Sequence, residues 1–249
     1  MAKMNGFTLI ELSIVLAIIG LIVGGVLAGT SLVKGAKINA QVAQFKKFET
    51  AFNSFRLVYE AFPGDMANAS SFWSTATGGN GNLLIDDASS NACAGGCGQT
   101  NNDGEKVSFF HHLSLAGMVP ETYNPAYPAR NEYIGISVPP LFLDPSSSYM
   151  VAASMWFPST SFGMDMVNPN APTQGIYLFA ASNSVGVYAF YPPEAAQIDR
   201  KMDDGYPTSG RLWGVWNNSC STATTPMSYR TDFVKAHSNG CGLQYVLQK

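Results

Sequence analysis

The sequence has few charged residues. Only 12% of its 249 residues are Asp, Glu, Lys or Arg, about half the share that is usual in soluble domains. Fourteen basic and seventeen acidic residues leave a net charge of −3, which argues against a nucleic-acid-binding surface, because such surfaces are strongly basic. The length is enough for one large domain or two small ones, so disulfides or metals are not needed to supply a core.

The apolar residues, by contrast, are concentrated near the N-terminus. Eighteen consecutive uncharged residues run from Leu12 to Gly29, which is long enough to cross a bilayer. A secretory signal peptide has a shorter apolar stretch and a small-residue cleavage site, so we predict a membrane-inserted helix instead. Lys3 precedes the run, and Lys34 and Lys37 follow it. The positive-inside rule therefore does not decide its orientation.

Glu11 lies at the start of this run, where a carboxylate is costly and usually marks a function. One interpretation is a capping box, in which Thr8 is the N-cap and Glu11, three residues on, satisfies backbone N–H groups of the first turn. The other requires removal of the leader MAKMNG after Gly6. Phe7 would then carry an α-amine that could pair with Glu11 of a neighbouring subunit.

Residues 6–12 read GFTLIEL and lead directly into the apolar run. This junction closely resembles the class III leader of type IV prepilins and type II secretion pseudopilins. The resemblance implies a leader over residues 1–6, cleavage after Gly6 by an inner-membrane prepilin peptidase, methylation of Phe7 and a role for Glu11 in filament assembly. It covers about the first sixty residues.

Past the membrane run, eight apolar residues recur at intervals of three or four: Ile38, Val42, Phe45, Phe48, Phe52, Phe55, Tyr59 and Phe62. This period predicts one buried face of a helix, and Pro63-Gly64 is a stop signal. We therefore predict one helix over residues 7–62, with 7–33 in the membrane or in a filament core, and a globular head over 63–249. Many pilins have a proline in this helix. Glycines at 20, 24, 25 and 29 stand here instead, and they leave open either close helix packing or a flexible stretch.

The head is predicted to be α+β. Residues 64–104 are rich in Gly, Ser, Asn and Asp, which indicates a long surface insertion. Short helices are expected over 105–117 and 193–205. Five segments have the composition of strands: Tyr149–Phe157, Ile176–Ala180, Val185–Phe190, Leu212–Trp216 and Gly242–Leu247. The family resemblance implies a pilin-like fold, in which the N-terminal helix packs on an antiparallel β-sheet head with insertions.

All four cysteines follow the membrane run, and an even number there indicates disulfides in an oxidising compartment. Four cysteines allow three connectivities, and we favour Cys93–Cys97 and Cys220–Cys241 because each pair is local. The second also resembles the C-terminal disulfide loop of many type IV pilins. A tetrahedral zinc site is the alternative. Either interpretation places the head outside the cytoplasm.

Two groups of residues are candidates for a metal-binding or catalytic site. Asp199, Asp203 and Asp204 form an oxygen-rich cluster of the kind that calcium uses, although without EF-hand spacing. Some pseudopilins bind calcium near their C-termini, so the resemblance makes calcium a candidate ligand of this cluster. No other cofactor is expected. The adjacent His111 and His112 point about 100° apart on a helix, so we expect one to be buried and the other exposed. With no nucleophile motif, no catalytic site is predicted.

The sequence thus predicts a non-enzymatic subunit of a type IV pilus or related filament. Its expected partners are other pilin or pseudopilin subunits, the prepilin peptidase and an inner-membrane assembly platform. We expect a single-pass precursor in the bacterial inner membrane with a periplasmic head, and a periplasmic or extracellular filament after assembly. A minor pseudopilin of a type II secretion system is one alternative, and a monomeric, membrane-anchored exported binding domain is another. The 22-residue Cys220–Cys241 loop favours a pilus, whereas the large head with its insertion favours a minor subunit.

Overall fold

The computed structural model describes residues 8–85, 104–126, 133–152, 175–181, 189–215, 220–222, 227–230 and 240–248. Its elements, in chain order, are α1 (Leu9–Tyr59), α2 (Gly104–Leu115), β1 (Ser148–Ala152), β2 (Ile176–Ala181), α3 (Pro192–Met202), β3 (Leu212–Val215) and β4 (Gly242–Gln248), with a short 3₁₀ turn at Ala69–Ser71. The four strands form one sheet in the order β1-β2-β4-β3. All pairs are antiparallel, so the predicted α+β class is confirmed.

Helix α1 contains 51 residues and is about 77 Å long at 1.5 Å per residue. It is unbroken from Leu9 to Tyr59, including the glycine-rich stretch. It ends at Tyr59, three residues before the predicted end, because Glu60 adopts a left-handed conformation with φ 53° and its N–H bonds the carbonyl of Arg56. Phe62 then turns back onto the helix, where its ring centroid lies 5.5 Å from that of Phe52.

The two halves of α1 have opposite surroundings. The apolar side chains from Leu9 to Val33 are exposed, whereas those of the predicted stripe from Ile38 to Phe55 are buried. Within the stripe, the ring of Phe45 lies 5.2 Å from that of Tyr149 on β1 and 6.1 Å from that of Tyr245 on β4. Phe48 packs against Phe110 of α2 at 5.4 Å. The second half of α1 is therefore the central element of the head's core.

Four of the five segments that the sequence indicated form the sheet. Residues 153–157 of the first predicted strand and Trp216 of the fourth lie outside the described residues. Tyr149 on β1 pairs with Ala180 on β2, and Leu178 on β2 pairs with Tyr245 on β4. Tyr245 also pairs with Leu212 on β3. The predicted strand Val185–Phe190 falls mostly on residues 182–188, outside the described part of the chain; its last residue forms an isolated bridge with Cys241.

Part of the predicted surface insertion belongs to the head itself. Asp65 is buried, and its carboxylate accepts hydrogen bonds from the backbone N–H groups of Gly81 at 2.7 Å, Asn82 at 3.1 Å and Leu83 at 2.8 Å. Ile85 is fully buried at the end of this segment. Most residues from 67 to 84 are exposed, as expected of a surface segment, but the buried residues Asp65 and Ile85 anchor the segment to the head. Residues 86–103 lie outside the described residues.

Candidate functional site at the N-terminal helix

The first turn of α1 is closed by a capping box. The backbone N–H and the hydroxyl of Thr8 both donate to Oε2 of Glu11, each at 2.8 Å, and the Glu11 N–H donates to the Thr8 hydroxyl at 3.3 Å. The capping interpretation of Glu11 is thus confirmed by geometry. Both bonds to the carboxylate end on the same oxygen, which leaves Oε1 available to a further donor. Gly6 and Phe7 lie outside the described residues.

The apolar half of α1 is not covered by the part of the head that the structure describes. The span has a mean hydropathy of 2.6, and none of its 18-residue window is buried. Leu9 is 89% exposed and Leu21 is 78% exposed. Continuous exposed apolar surface of this extent marks a membrane or protein contact. By length and composition this helix can cross a membrane, and its polar neighbours Thr8 and Glu11 lie at its start.

Residues 1–27 match the family model described as the prokaryotic N-terminal methylation motif. This segment is the class III leader of type IV pilins and pseudopilins. No curated protein and no solved structure matches the chain. The class III leader supports a processed subunit of the pilin or pseudopilin kind, and proteins that carry it are structural rather than catalytic. Together with the apolar helix, the leader fits a membrane-anchored precursor.

Buried hydrogen bonds that were not predicted from the sequence also hold α1 against the head. Gln41 is fully buried on the apolar face of α1, three residues after Ile38. Its Oε1 accepts hydrogen bonds from the backbone N–H groups of Phe142 at 2.9 Å and Leu143 at 3.2 Å, and its Nε2 donates to the Tyr149 hydroxyl. In the sequence, a glutamine on an otherwise apolar helix face was the one sign that this face makes buried hydrogen bonds.

Ion pairs fix the same helix to the head at three further levels. Lys34 Nζ lies 3.1 Å from Glu194 Oε1, and Lys47 Nζ lies 2.6 Å from Glu121 Oε2. The guanidinium of Arg211, the residue before β3, lies 2.7 Å from Glu49 Oε1. The Arg211 guanidinium also lies 4.9 Å from the centroid of the Tyr245 ring. The head therefore holds the helix along its side from residue 34 onwards.

The structure joins Cys220 and Cys241 in a disulfide bond, with their Cα atoms 4.8 Å apart. Both cysteines are fully buried, and Cys241 forms backbone hydrogen bonds with Phe190 in both directions. The bond therefore ties a C-terminal loop to the start of β4. The other predicted pair, Cys93–Cys97, lies outside the described residues.

The three aspartates considered for calcium lie together at the C-terminal end of α3, Asp199 in its last turn and Asp203 and Asp204 just after it. Their carboxylate oxygens lie within 4.8 Å of one another. Each already has local donors. Asp199 accepts from the Tyr229 hydroxyl at 2.7 Å, Asp203 from the Leu212 N–H at 3.0 Å, and Asp204 from the Ser209 hydroxyl at 2.5 Å. The oxygen set suits a hard cation; the turns that these side chains cap explain the cluster equally well. Burial raises the pKa of Asp199 to about 7.

Both histidines of α2 are buried, so the expectation that one would be exposed is wrong. Helix α2 is enclosed on most of its surface, with every residue from Val107 to Leu113 buried. His112 Nδ1 accepts the Gly64 N–H at 2.9 Å, and its Nε2 lies 2.9 Å from the Thr77 carbonyl oxygen. Burial lowers the pKa of His112 to about 4. This neutral ring bridges the two ends of the 64–77 segment and has a structural role.

Proposed function

We propose that the chain is a structural subunit of a type IV pilus or related filament. Prepilin peptidase removes residues 1–6, Phe7 becomes the methylated N-terminus, and the first half of α1 holds the precursor in the bacterial inner membrane with the head in the periplasm. Assembly then moves that half into a filament core formed with other subunits. The observation that carries the proposal is a class III leader followed by a helix with one half fully exposed and the other half locked into the head.

The exposed half of α1 needs an apolar environment at every stage. In the precursor that environment is lipid, and in a filament it is the same half-helix of neighbouring subunits. Both are compatible with a head whose described residues bury α1 only in its second half. The geometry of Glu11 suits this transfer, because Oε2 caps its own helix while Oε1 can accept the Phe7 amine of a neighbour. Capping and assembly are therefore compatible roles of one carboxylate.

The head's disulfide supports the orientation. A disulfide between Cys220 and Cys241 is stable in oxidising compartments such as the bacterial periplasm and is rare in the cytosol. The described residues contain one helix that can span a membrane, and with that helix as the anchor a periplasmic head leaves the leader on the cytoplasmic side.

Processing is tested by intact mass and N-terminal sequencing of the membrane-extracted chain from a host with an active prepilin peptidase. We expect a chain that begins at methylated Phe7. Gly6→Leu should leave the leader attached, and the matched control Asn5→Ala should be cut as the natural chain is. A natural chain that still begins at Met1 would overturn the proposal and favour a monomeric anchored domain.

The role of Glu11 is tested by separating its charge from its cap. Glu11→Gln removes the charge and keeps an amide that can still form the capping box. Thr8→Val removes the cap and leaves the charge. Ser13→Ala is the matched control, because the Ser13 hydroxyl bonds only the carbonyl of Ile10 in its own helix. We expect all three variants to be processed and only Glu11→Gln to lose filament assembly. Loss with Thr8→Val and not with Glu11→Gln would reduce Glu11 to a capping residue.

The choice between a pilus and a secretion pseudopilus is tested on the same cells. A pilus subunit is recovered in filaments sheared from the cell surface. A minor pseudopilin is absent from that fraction, and its deletion blocks export of secreted proteins. We expect recovery in sheared filaments. Absence there together with a secretion defect would move the assignment to the pseudopilin.

A further inference from the structure

A groove opens where α1 passes from its exposed half into the head. Its volume is about 500 Å³. On the helix side it is lined by residues between Val26 and Lys37, and on the head side by Leu143 and Glu194. Leu143 is held there by its backbone hydrogen bond to the buried Gln41. The groove is thus formed between two parts of the molecule that are fixed relative to one another.

If the first half of α1 spans the membrane, as proposed above, the groove lies level with one edge of the bilayer. From Leu12 to Val33 the helix rises about 30 Å, which matches the thickness of the hydrocarbon layer. Val26 and Val33 therefore face acyl chains, whereas Lys34 and Lys37 reach the headgroup layer. Because Leu143 and Glu194 line the same groove, this edge of the head lies at the headgroup layer as well.

The charges of the groove favour an anion. Lys34 pairs with Oε1 of Glu194 at 3.1 Å, and Oε2 of the same carboxylate accepts the Tyr191 N–H at the start of α3. Glu194 is therefore fixed in place and orients the Lys34 ammonium, which has further N–H donors. Lys37 is exposed, and within the described part of the chain no carboxylate forms an ion pair with it. The two lysines and one glutamate leave one net positive charge.

We propose that this groove binds the phosphate of an anionic membrane lipid. Lys34 and Lys37 contact the phosphate, and one acyl chain lies along Val26 and Val33. The inference rests on the proposed function, because it requires the first half of α1 to span a membrane. A lipid held at this position contacts both α1 and the head, and so fixes how the head stands on the membrane surface before assembly.

The test uses the full chain in detergent micelles, supplied with phosphatidylglycerol and phosphatidylcholine in equal amounts, with bound lipid counted by native mass spectrometry. We expect the natural chain to retain phosphatidylglycerol in preference. Lys37→Gln should weaken that retention about fivefold, because a lysine at an anionic membrane surface contributes about 1 kcal/mol, and should leave phosphatidylcholine unchanged. Lys46→Gln is the matched control, since Lys46 is exposed on the same helix about 13 Å farther from the membrane.

Three outcomes would overturn the inference. Equal weakening by Lys37→Gln and Lys46→Gln would show general charge attraction. Unchanged retention in Lys37→Gln would show that the groove binds no lipid phosphate. Displacement of phosphatidylglycerol by millimolar inorganic phosphate would identify a free anion as the occupant. Leader removal is scored separately in cells: a processed chain with no lipid preference contradicts this inference alone, whereas an unprocessed chain contradicts the proposed function.

Discussion

Acidification should weaken the head through one buried histidine. His112 bridges the Gly64 N–H and the Thr77 carbonyl, and its ring stacks on Phe55 at a centroid distance of 6.2 Å. A proton on Nδ1 would remove the acceptor that Gly64 uses. Burial is the main cause that lowers the pKa of His112 from 6.5 to about 4, and the neighbouring His111 lowers it further.

Proton linkage gives the direction and the size of this change in the free energy of unfolding. Between pH 6.5 and pH 4 the unfolded chain binds a proton at residue 112 that the folded head does not, so the free energy of unfolding falls as the pH falls through this window. The contribution is fully present above pH 6.5 and fully lost below about pH 4. At 1.36 kcal/mol per pKa unit the total is about 3 kcal/mol, of which about 2.5 kcal/mol is lost by pH 4.5.

The assay is urea unfolding of the full chain in detergent micelles, followed by tryptophan fluorescence at pH 7.5 and pH 4.5. Trp73 is a local reporter, because its ring lies 6.1 Å from that of His112. His112→Gln keeps a donor and an acceptor and does not titrate. We expect the natural chain to lose about 2.5 kcal/mol more than His112→Gln on acidification. Equal losses in the two proteins would refute the reasoning.

Three further predictions concern the head. Phe52→Ala should lower the free energy of unfolding by about 3–5 kcal/mol, because Phe52 is fully buried. Leu57 on the same helix is 84% exposed, so Leu57→Ala should change it by less than about 0.5 kcal/mol. Equal effects in urea unfolding would contradict this. Replacing Cys220 and Cys241 by serine should lower the free energy of unfolding by about 3 kcal/mol. Reductant should therefore lower the melting temperature of the natural chain more than that of the variant. Burial raises the pKa of Asp199 to about 7, so its contribution is present below pH 3.8 and lost as the pH rises through 7; Asp199→Asn should abolish this fall, and an unchanged pH dependence would contradict it.

The long helix was predictable because each of its halves has a strong local signal. An uninterrupted apolar run and a period of three to four residues both depend on sequence alone, and the strands were likewise marked by aromatic and β-branched residues such as Tyr177 and Val246. The sheet order was not predictable, since β4 lies between β2 and β3 through contacts distant in the chain. The end of α1 at Tyr59 depends on the left-handed conformation of Glu60, which a non-glycine residue rarely adopts.

The candidate site was predictable for a different reason. Thr8 and Glu11 form a local motif with a fixed spacing, so both the cap and the leader are visible in seven residues. Gln41 and Asp65 were missed because their partners are distant backbone N–H groups, at Phe142 for the first and at Gly81 for the second. Composition indicates a surface loop at residues 64–85, but which of its side chains are buried as anchors depends on what packs against them.

Membrane insertion or assembly depends on the first half of α1, and the stability of the head depends on the second half. Among the described residues, side chains before Val33 are exposed and contribute little to the folding of the head, whereas the apolar stripe from Ile38 to Phe55 is buried in its core. A polar substitution such as Ile18→Asn should therefore impair membrane insertion or assembly and leave the unfolding of the head unchanged, while Phe45→Ala should do the reverse. If both substitutions destabilised the head equally, the exposed half would have a partner within the chain, and the need for an external apolar environment, on which the filament proposal depends, would disappear.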